Sequence, residues 1–189
     1  MDRKLNSNFI IISGSGKKVG KTYLAVALIR YFSGQSPVIA LKISPHRHDN
    51  LGKVITISDT VGYRLFRELE VHDKNSGQFL EAGAKASFFL ETADGFLGEA
   101  IEEFLRKCNP MNLPVVCESG ALGIIIKPGI LIYISDPEFQ YDSYKDSIKE
   151  LADQVLPSRK LSSSEVIKNV KLAGNCWSGK SETAKQTEQ

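Results

Sequence analysis

The sequence predicts an α/β fold of three layers, a mostly parallel sheet with helices on both faces. Three observations support this prediction. Continuously apolar runs at 113–117 and 130–135 are typical of strands that are buried on both faces. Segments of helical periodicity separate these runs, and strands that alternate with helices form βαβ units. The chain of 189 residues is 42% hydrophobic and 24% charged, which is enough length and apolar content for one such core.

The N-terminal part begins this alternation. A strand is predicted at 9–13, and a helix at Lys21–Phe32, where apolar residues recur at the spacing of one helix face. Gly34 is placed to stop that helix. A second strand follows at 38–43, so the first three elements form one βαβ unit.

The remaining elements continue the alternation. An apolar run at 54–57 precedes a helix predicted at about 60–70, for which Ser58 or Asp59 can serve as the cap. The elements after it are a short helix at 77–84, a strand at 86–91, an amphipathic helix at 95–108, the two buried runs named above, helices at 144–155 and 162–168, and a last strand at Val170–Ala173.

These elements are predicted to form one domain over residues 1–177, followed by a polar tail over 178–189 that lacks large apolar side chains. Three cysteines without CxxC spacing indicate free thiols in a reducing compartment. The apolar run at 9–12 is too short for a signal peptide or a membrane span. We therefore expect a cytoplasmic protein that has no membrane partner.

Charge is distributed unevenly along the chain. The first 48 residues hold eight basic residues and one acidic residue, a formal net charge of +7. The remaining residues hold 16 basic and 21 acidic, a formal net charge of −5. A local basic excess is typical of a chain with an anionic partner, such as nucleic acid or a phosphorylated small molecule.

A glycine-rich loop between the first strand and the first helix, FIIISGSGKKVGKTYLAV, accounts for part of this excess. Small residues let backbone N–H groups converge on an anion, and the helix N-terminus adds a partial positive charge. Lys21 would reach the β- and γ-phosphates of a nucleotide, and the Thr22 hydroxyl would ligate Mg²⁺. The predicted cofactors are thus Mg²⁺ and either ATP or GTP, since no N-K-x-D motif specifies the base. The predicted nucleotide-binding residues are Gly14, Ser15, Gly16, Lys17, Lys18, Val19, Gly20, Lys21 and Thr22.

The spacing of this loop, G-x5-G-K-T, is one residue longer than the usual G-x4-G-K-[ST] motif, which would require glycine at Ser15. The longer form resembles the loop of the dethiobiotin synthetases and cobyrinic-acid amide synthetases, which are P-loop NTPases. Lys18 stands where those families have glycine, and a residue with a side chain tolerates positive φ poorly. The matching residues are Gly14, Val19, Gly20, Lys21 and Thr22.

Two further lysines of the chain are candidates for contact with a phosphate. In the partition ATPases the signature lysine of the loop stands at the place of Gly16, one residue before Lys17. Lys17 and Lys18 can therefore supply charge to a terminal phosphate, or they can face solvent. Lys42, at the end of the second strand, resembles the strand-end lysine of the molybdopterin-guanine dinucleotide biosynthesis B proteins. That resemblance implies contact with a γ-phosphate or an acidic substrate, and the predicted catalytic residues are Lys17, Lys21 and Lys42.

Mg²⁺ at such a loop needs a carboxylate at the end of a neighbouring parallel strand. Glu91, Glu118 and Asp136 each follow a predicted strand. We select Glu118 because Ser119-Gly120 come next, and glycine allows another backbone to approach closely. The segment VVCESGALG also resembles the strand ending in Glu-Gly of the dethiobiotin synthetases, the cobyrinic-acid amide synthetases and the B proteins, with Ser119 inserted.

A His-rich turn follows Lys42 in the segment VIALKISPHRHD, as in the B proteins. Asp49 in this turn is a second candidate ligand, beside Glu118, for Mg²⁺. His46 and His48 can bind a metal or can face solvent, and two histidines without a third ligand favour the second interpretation.

The resemblance covers residues 9 to about 135 and implies two kinds of function. The first is an accessory protein that binds and hydrolyses nucleotide in the biosynthesis of a molybdopterin-type cofactor, with a pterin and a partner enzyme. The second is an ATP-dependent ligase of the dethiobiotin synthetase kind, which activates a small carboxylate by phosphoryl transfer. Residues 50–72 have no counterpart in the molybdopterin-related group. They can form a substrate lid, an element of a homodimer or a plain insertion.

Nucleic-acid binding through the basic N-terminal part is a third hypothesis, and we rank it lowest. The basic residues fall largely on or next to the glycine-rich loop, and aromatic residues are not interleaved with them. We therefore expect the chain to bind a nucleotide and no nucleic acid.

Overall fold

A computed structural model of the chain describes residues 3–48, 51–71, 75–139 and 143–179. Within these ranges the chain forms ten strands and six α-helices. The strands are β1 (Lys4–Gly14), β2 (Ile39–Ser44), β3 (Val54–Asp59), β4 (Tyr63–Glu68), β5 (Ala86–Thr92), β6 (Val115–Glu118), β7 (Ile126–Ser135), β8 (Gln154–Pro157), β9 (Val170–Ala173) and β10 (Cys176–Gly179). The helices are α1 (Lys21–Phe32), α2 (Asn75–Glu81), α3 (Leu97–Cys108), α4 (Leu122–Ile125), α5 (Ser143–Glu150) and α6 (Ser163–Asn169).

Eight of the strands form one sheet in the order β3-β4-β5-β2-β6-β1-β7-β8. The six strands from β5 to β8 are mutually parallel, and the β3–β4 hairpin continues the sheet in antiparallel fashion at one end. The predicted α/β class with a mostly parallel sheet is therefore confirmed. All the parallel strands end at the same side of the sheet, which we call the carboxyl edge.

The two faces of the sheet carry separate apolar clusters, and β1 contributes to both. Phe9 and Ile11 join a cluster with α3, α4 and α5, whereas Ile10 and Ile12 join a cluster with α1, α2 and α6. Successive side chains of a strand point to opposite faces, so a fully apolar strand fills both clusters. Burial of each of these side chains contributes roughly 1.5–3 kcal/mol.

The topology creates a crevice between β1 and β6 at the carboxyl edge. The helix that follows β1 packs on one face of the sheet, and the helix that follows β6 packs on the other. Ligands of open α/β sheets bind at such a point, because the two connections diverge there and leave room between them.

The prediction of a helix at 60–70 is wrong. Residues 54–68 form the β3–β4 hairpin, in which Leu65 pairs with Leu90 and Phe66 pairs with Phe89 of β5. Leu65 and Phe66 are both buried, and as successive residues of a strand they point to opposite faces of the sheet. Pairing with a strand that lies more than twenty residues further along the chain therefore overrides the local helical pattern.

The hairpin is anchored on α3 through Glu103. The Glu103 carboxylate accepts hydrogen bonds from Ser58 at 3.0 Å and Arg106 at 2.6 Å, and pairs with Lys107 at 2.9 Å. These donors, Lys107 above all, lower the pKa of Glu103 to about 2. Lys107 also donates to the carbonyl oxygen of Ile57 at 3.0 Å, so α3 holds β3 by both backbone and side chain.

The C-terminal part differs from the prediction in two places. The helix predicted at 144–155 ends at Glu150, because Asp153 exchanges two hydrogen bonds with the backbone of Leu131 and the chain then enters β8. The strand Val170–Ala173 pairs with β10 in a separate two-stranded sheet. The chain thus stays in regular structure two residues beyond the boundary predicted at 177, and residues 180–189 lie outside the described ranges.

In the described part of the chain, no helix is both long enough and apolar enough to cross a membrane.

Candidate functional site

The start of the glycine-rich loop, directly after β1, is hydrogen-bonded to the end of β7. The backbone N–H of Ser15 donates to the carbonyl oxygen of Ile134 at 3.0 Å, and the Ser15 hydroxyl accepts from the backbone N–H of Asp136 at 2.9 Å. Ser15 is fully buried. The residue that stands where the usual motif has glycine thus holds the loop through both its backbone N–H and its hydroxyl.

Two residues of the loop have left-handed backbone conformations. Lys18 has a φ of 62° and Gly20, directly before α1, has a φ of 107°. Between them Val19 is buried in the cluster beneath α1. Lys18 stands where the loops that this one resembles have glycine, and its backbone has the conformation that favours glycine.

Lys18→Gly should therefore raise the free energy of unfolding by about 0.5–1 kcal/mol. A left-handed residue with a Cβ costs about 1–2 kcal/mol, and the larger entropy of glycine in the unfolded chain takes back part of the gain. Urea unfolding measures the difference. The matched control is Lys17→Gly, which loses the same charge at a position whose φ is not positive and should leave stability equal or lower. An equal gain in both variants would trace the effect to charge and contradict the explanation by strain.

Lys21 and Thr22 begin α1 at the crevice. The Lys21 ammonium group folds back over the loop and donates to the carbonyl oxygen of Gly16. The Thr22 hydroxyl donates to Glu118 Oε2 at 2.8 Å. Both side chains thus lie at the mouth of the loop, while Lys17 and Lys18 are exposed on its outer side.

Glu118 joins three parts of the chain. Its Oε1 atom pairs with the Lys42 ammonium group, and its Oε2 atom accepts from Thr22. Glu118 is 2% exposed and Lys42 is 15% exposed. The register explains the convergence, because Glu118 lies directly opposite Lys42 of β2 on one side and opposite Ile12 of β1 on the other.

The inserted Ser119 turns the chain away from the site. Its backbone N–H donates to the carbonyl oxygen of Ile12 at 3.1 Å. Its hydroxyl accepts from the backbone N–H groups of Ala121 and Leu122 at 3.2 and 3.1 Å, at the start of α4. Ser119 therefore satisfies donors of a helix that would otherwise lack acceptors.

Burial raises the pKa of the Cys117 thiol, which lies next to Glu118 in β6. The thiol therefore stays in the unreactive neutral form.

The other candidate carboxylates lie elsewhere. Glu91 binds Arg64 and His48, on a strand separated from β6 by β2. Asp136 lies on the far side of the loop, where hydrogen bonds from the Ser158 hydroxyl and the backbone N–H of Glu138 lower its pKa. Asp49 falls outside the described residues. In the part of the chain that is described, no group of three or more His, Cys, Asp or Glu residues is arranged to hold a metal.

An open cavity of about 300 Å³ adjoins the loop on the side away from Glu118. The residues that line it from the segment after β8 were not predictable from the sequence. That segment carries no motif, and it reaches the loop only through tertiary structure. The residues that line the cavity are Lys18, Val19, Gly20, Tyr23, Asp136, Ser158, Arg159 and Leu161.

The structure thus brings together Lys21, Thr22, Lys42 and Glu118, which the sequence had predicted as site residues from three separate segments. Comparison with protein-family models, with curated proteins and with solved structures finds no match to this chain.

Proposed function

We propose that the chain binds ATP or GTP with Mg²⁺ at the loop formed by residues 14–22 and hydrolyses its γ-phosphate bond. The observation that carries this proposal is the meeting of Thr22, Glu118 and Lys42 beside the loop. A hydroxyl from the first turn of a helix and a carboxylate from the neighbouring strand are the protein ligands that Mg²⁺ takes at phosphate loops. Bound there, Mg²⁺ would neutralise charge on the phosphates.

The surroundings of this pair support the same proposal. The loop lies at the crevice between β1 and β6, where the connections diverge to opposite faces. A helix N-terminus, here that of α1, and a left-handed turn, here at Lys18, are the features that turn backbone N–H groups toward an anion in phosphate-binding loops. The cavity beside Tyr23 and Arg159 has room for a ribose or a base attached to phosphates held in the loop. We infer that Lys21 would then leave the carbonyl oxygen of Gly16 and contact the phosphates.

The biological setting that we propose is an accessory role in the biosynthesis of a molybdopterin-type cofactor. The resemblance of the Lys42 segment and of the Glu118 turn to the B proteins supports this setting. The alternative is an ATP-dependent ligase that activates a small carboxylate. That alternative is favoured by the Lys42 ammonium group, which lies beside the loop at a place where it can hold an acceptor. Release of ADP or GDP that increases when carboxylates are added would support the ligase.

Thermal unfolding with ATP and GTP in the presence of Mg²⁺ tests the binding itself. At 100 times the dissociation constant a ligand adds about 2.7 kcal/mol to the stability, which is a rise of about 5–10 °C in the unfolding temperature of a chain of this size. We expect the rise with at least one nucleotide, and we expect Lys21→Ala to abolish it. The matched control is Lys127→Ala, an exposed lysine on β7. An equal response of the two variants, or no rise in the natural protein, would refute the proposal.

A further inference from the structure

A row of charged side chains extends from the loop toward the hairpin. Glu118 of β6 lies opposite Lys42 of β2, and Glu91 of β5 lies opposite both Ser44 of β2 and Arg64 of β4. Residues that face each other across paired strands share a face of the sheet, as do residues two apart on one strand. The row therefore crosses four strands on the face that α1 covers, at the carboxyl edge.

Beyond Glu91 the row continues in a fixed guanidinium group, that of Arg64. Glu91 is 1% exposed, and its Oε2 atom accepts from Arg64 Nε at 2.7 Å and from Arg64 Nη2 at 2.5 Å. Arg64 Nη2 also donates to the carbonyl oxygen of His48 at 3.2 Å. Arg64 itself is 19% exposed. Among the residues that the structure describes, none accepts a hydrogen bond from its Nη1 atom.

A second guanidinium group is tied to the tip of the hairpin. Arg47 Nη2 donates to the carbonyl oxygens of Thr60 and Val61 at 3.2 and 3.1 Å. With Lys42 and Arg64, it makes three cations, and three carboxylates face them: the buried Glu91 and Glu118, and the exposed Asp59 of β3, which lies opposite Arg64. The row is therefore balanced in charge, and an anion would bind it through a donor that the described residues leave free, such as Arg64 Nη1, and not through a net positive charge.

The spacing of the cations suits one small molecule. Lys42 and Arg64 are separated by two strand spacings and by two residues along the strands, so their Cα atoms lie roughly 12 Å apart. Both side chains are long enough to reach toward a ligand between them. Each is held in place by a buried carboxylate, so little side-chain entropy remains to be lost when a ligand binds. A guanidinium group pairs best with the oxygens of a carboxylate or a phosphate.

We propose that this row is the subsite for a second reactant, a small molecule whose carboxylate or phosphate group binds Arg64 while its other end lies at Lys42 beside the loop. Its use in a reaction rests on the proposed function, but its affinity for an anion does not. Arg64 belongs to the β3–β4 hairpin, so this hairpin would serve as the wall that selects the reactant.

The test measures binding of two probes, succinate and glycerol 3-phosphate, by calorimetry at a constant ionic strength set with chloride. We expect the natural protein to bind at least one probe, and Arg64→Met to weaken that binding at least tenfold, because a charge-assisted hydrogen-bonded pair is lost. The matched control is Arg67→Met, an exposed arginine on the same strand, and it should change the affinity less than twofold. Preference for succinate would identify a carboxylate ligand, and preference for glycerol 3-phosphate would identify a phosphate ligand.

Two further variants keep the test decisive. Arg64→Met leaves Glu91 buried without its partner, and the single variant can unfold for that reason. The double variant Arg64→Met with Glu91→Gln removes both charges of the pair and so preserves the fold. The double variant should also lose binding of the probe. Lys21→Ala should retain probe binding, which separates the subsite from the loop. Probe binding that needs Arg64 would support the subsite even if no nucleotide binds. Absence of probe binding, or equal affinity in the Arg64 and Arg67 variants, would overturn it.

Discussion

Glu118→Gln is expected to lower Mg²⁺-dependent turnover of ATP or GTP by about 10²–10³-fold, the usual effect of removing one group that stabilises charge in a transition state. Glutamine has nearly the same shape; its amide oxygen can accept from Lys42 while its NH2 group donates to the Thr22 hydroxyl, so both residues keep a partner at this position. The fold should therefore persist. What is lost is the negative charge, which the proposed metal site requires.

Measurement of turnover against Mg²⁺ concentration tests this expectation. The variant should need more Mg²⁺ for half-maximal rate, while its affinity for nucleotide without metal should change by less than a few fold. Glu99→Gln, an exposed residue of α3, is the matched control and should behave like the natural protein. If Glu118→Gln retained full turnover at low Mg²⁺, Glu118 would be a structural partner of Lys42 and no ligand.

The parts of the site that the sequence predicted are those that local chemistry determines. Helix α1 begins and ends where its pattern indicated, at Lys21 and Phe32, because the glycine-rich loop and the apolar spacing act within one segment. Glu118 and Lys42 were predictable as neighbours since both lie at or near the carboxyl ends of parallel strands, and such ends meet at one edge of the sheet.

The parts that were missed depend on contacts between distant segments. Strand β4 owes its conformation to β5, and its short sequence alone is also compatible with a helix. Ser158 and Arg159 reach the cavity beside the loop because β8 pairs with β7, which no local pattern of residues 154–161 indicates. Arg64 became a candidate only when the hairpin placed it against Glu91.

Gly14→Ala is expected to destabilise the fold by about 1–3 kcal/mol, the cost of overpacking a closely packed site, and to weaken nucleotide binding with it. A Cβ at this position would lie 2.7 Å from the carbonyl oxygen of Ile134. The same oxygen accepts the hydrogen bond from Ser15 that fixes the loop, and Ile134 is paired with Gly14 in the ladder between β1 and β7. Relief of the contact therefore displaces the start of the loop or separates two central strands.

Gly16→Ala provides the comparison, because the crowding there has a different origin. Its Cβ would lie 2.5 Å from the ring of Phe139, a side chain that is 36% exposed and can turn toward solvent. Neither glycine has a positive φ, so backbone strain does not distinguish them. Urea unfolding should therefore show a large loss for Gly14→Ala and a change within about 0.5 kcal/mol for Gly16→Ala, the range of ordinary surface substitutions. Equal losses would mean that the loop is held by its own packing. Its attachment to β7 through Ile134 would then not be what positions it.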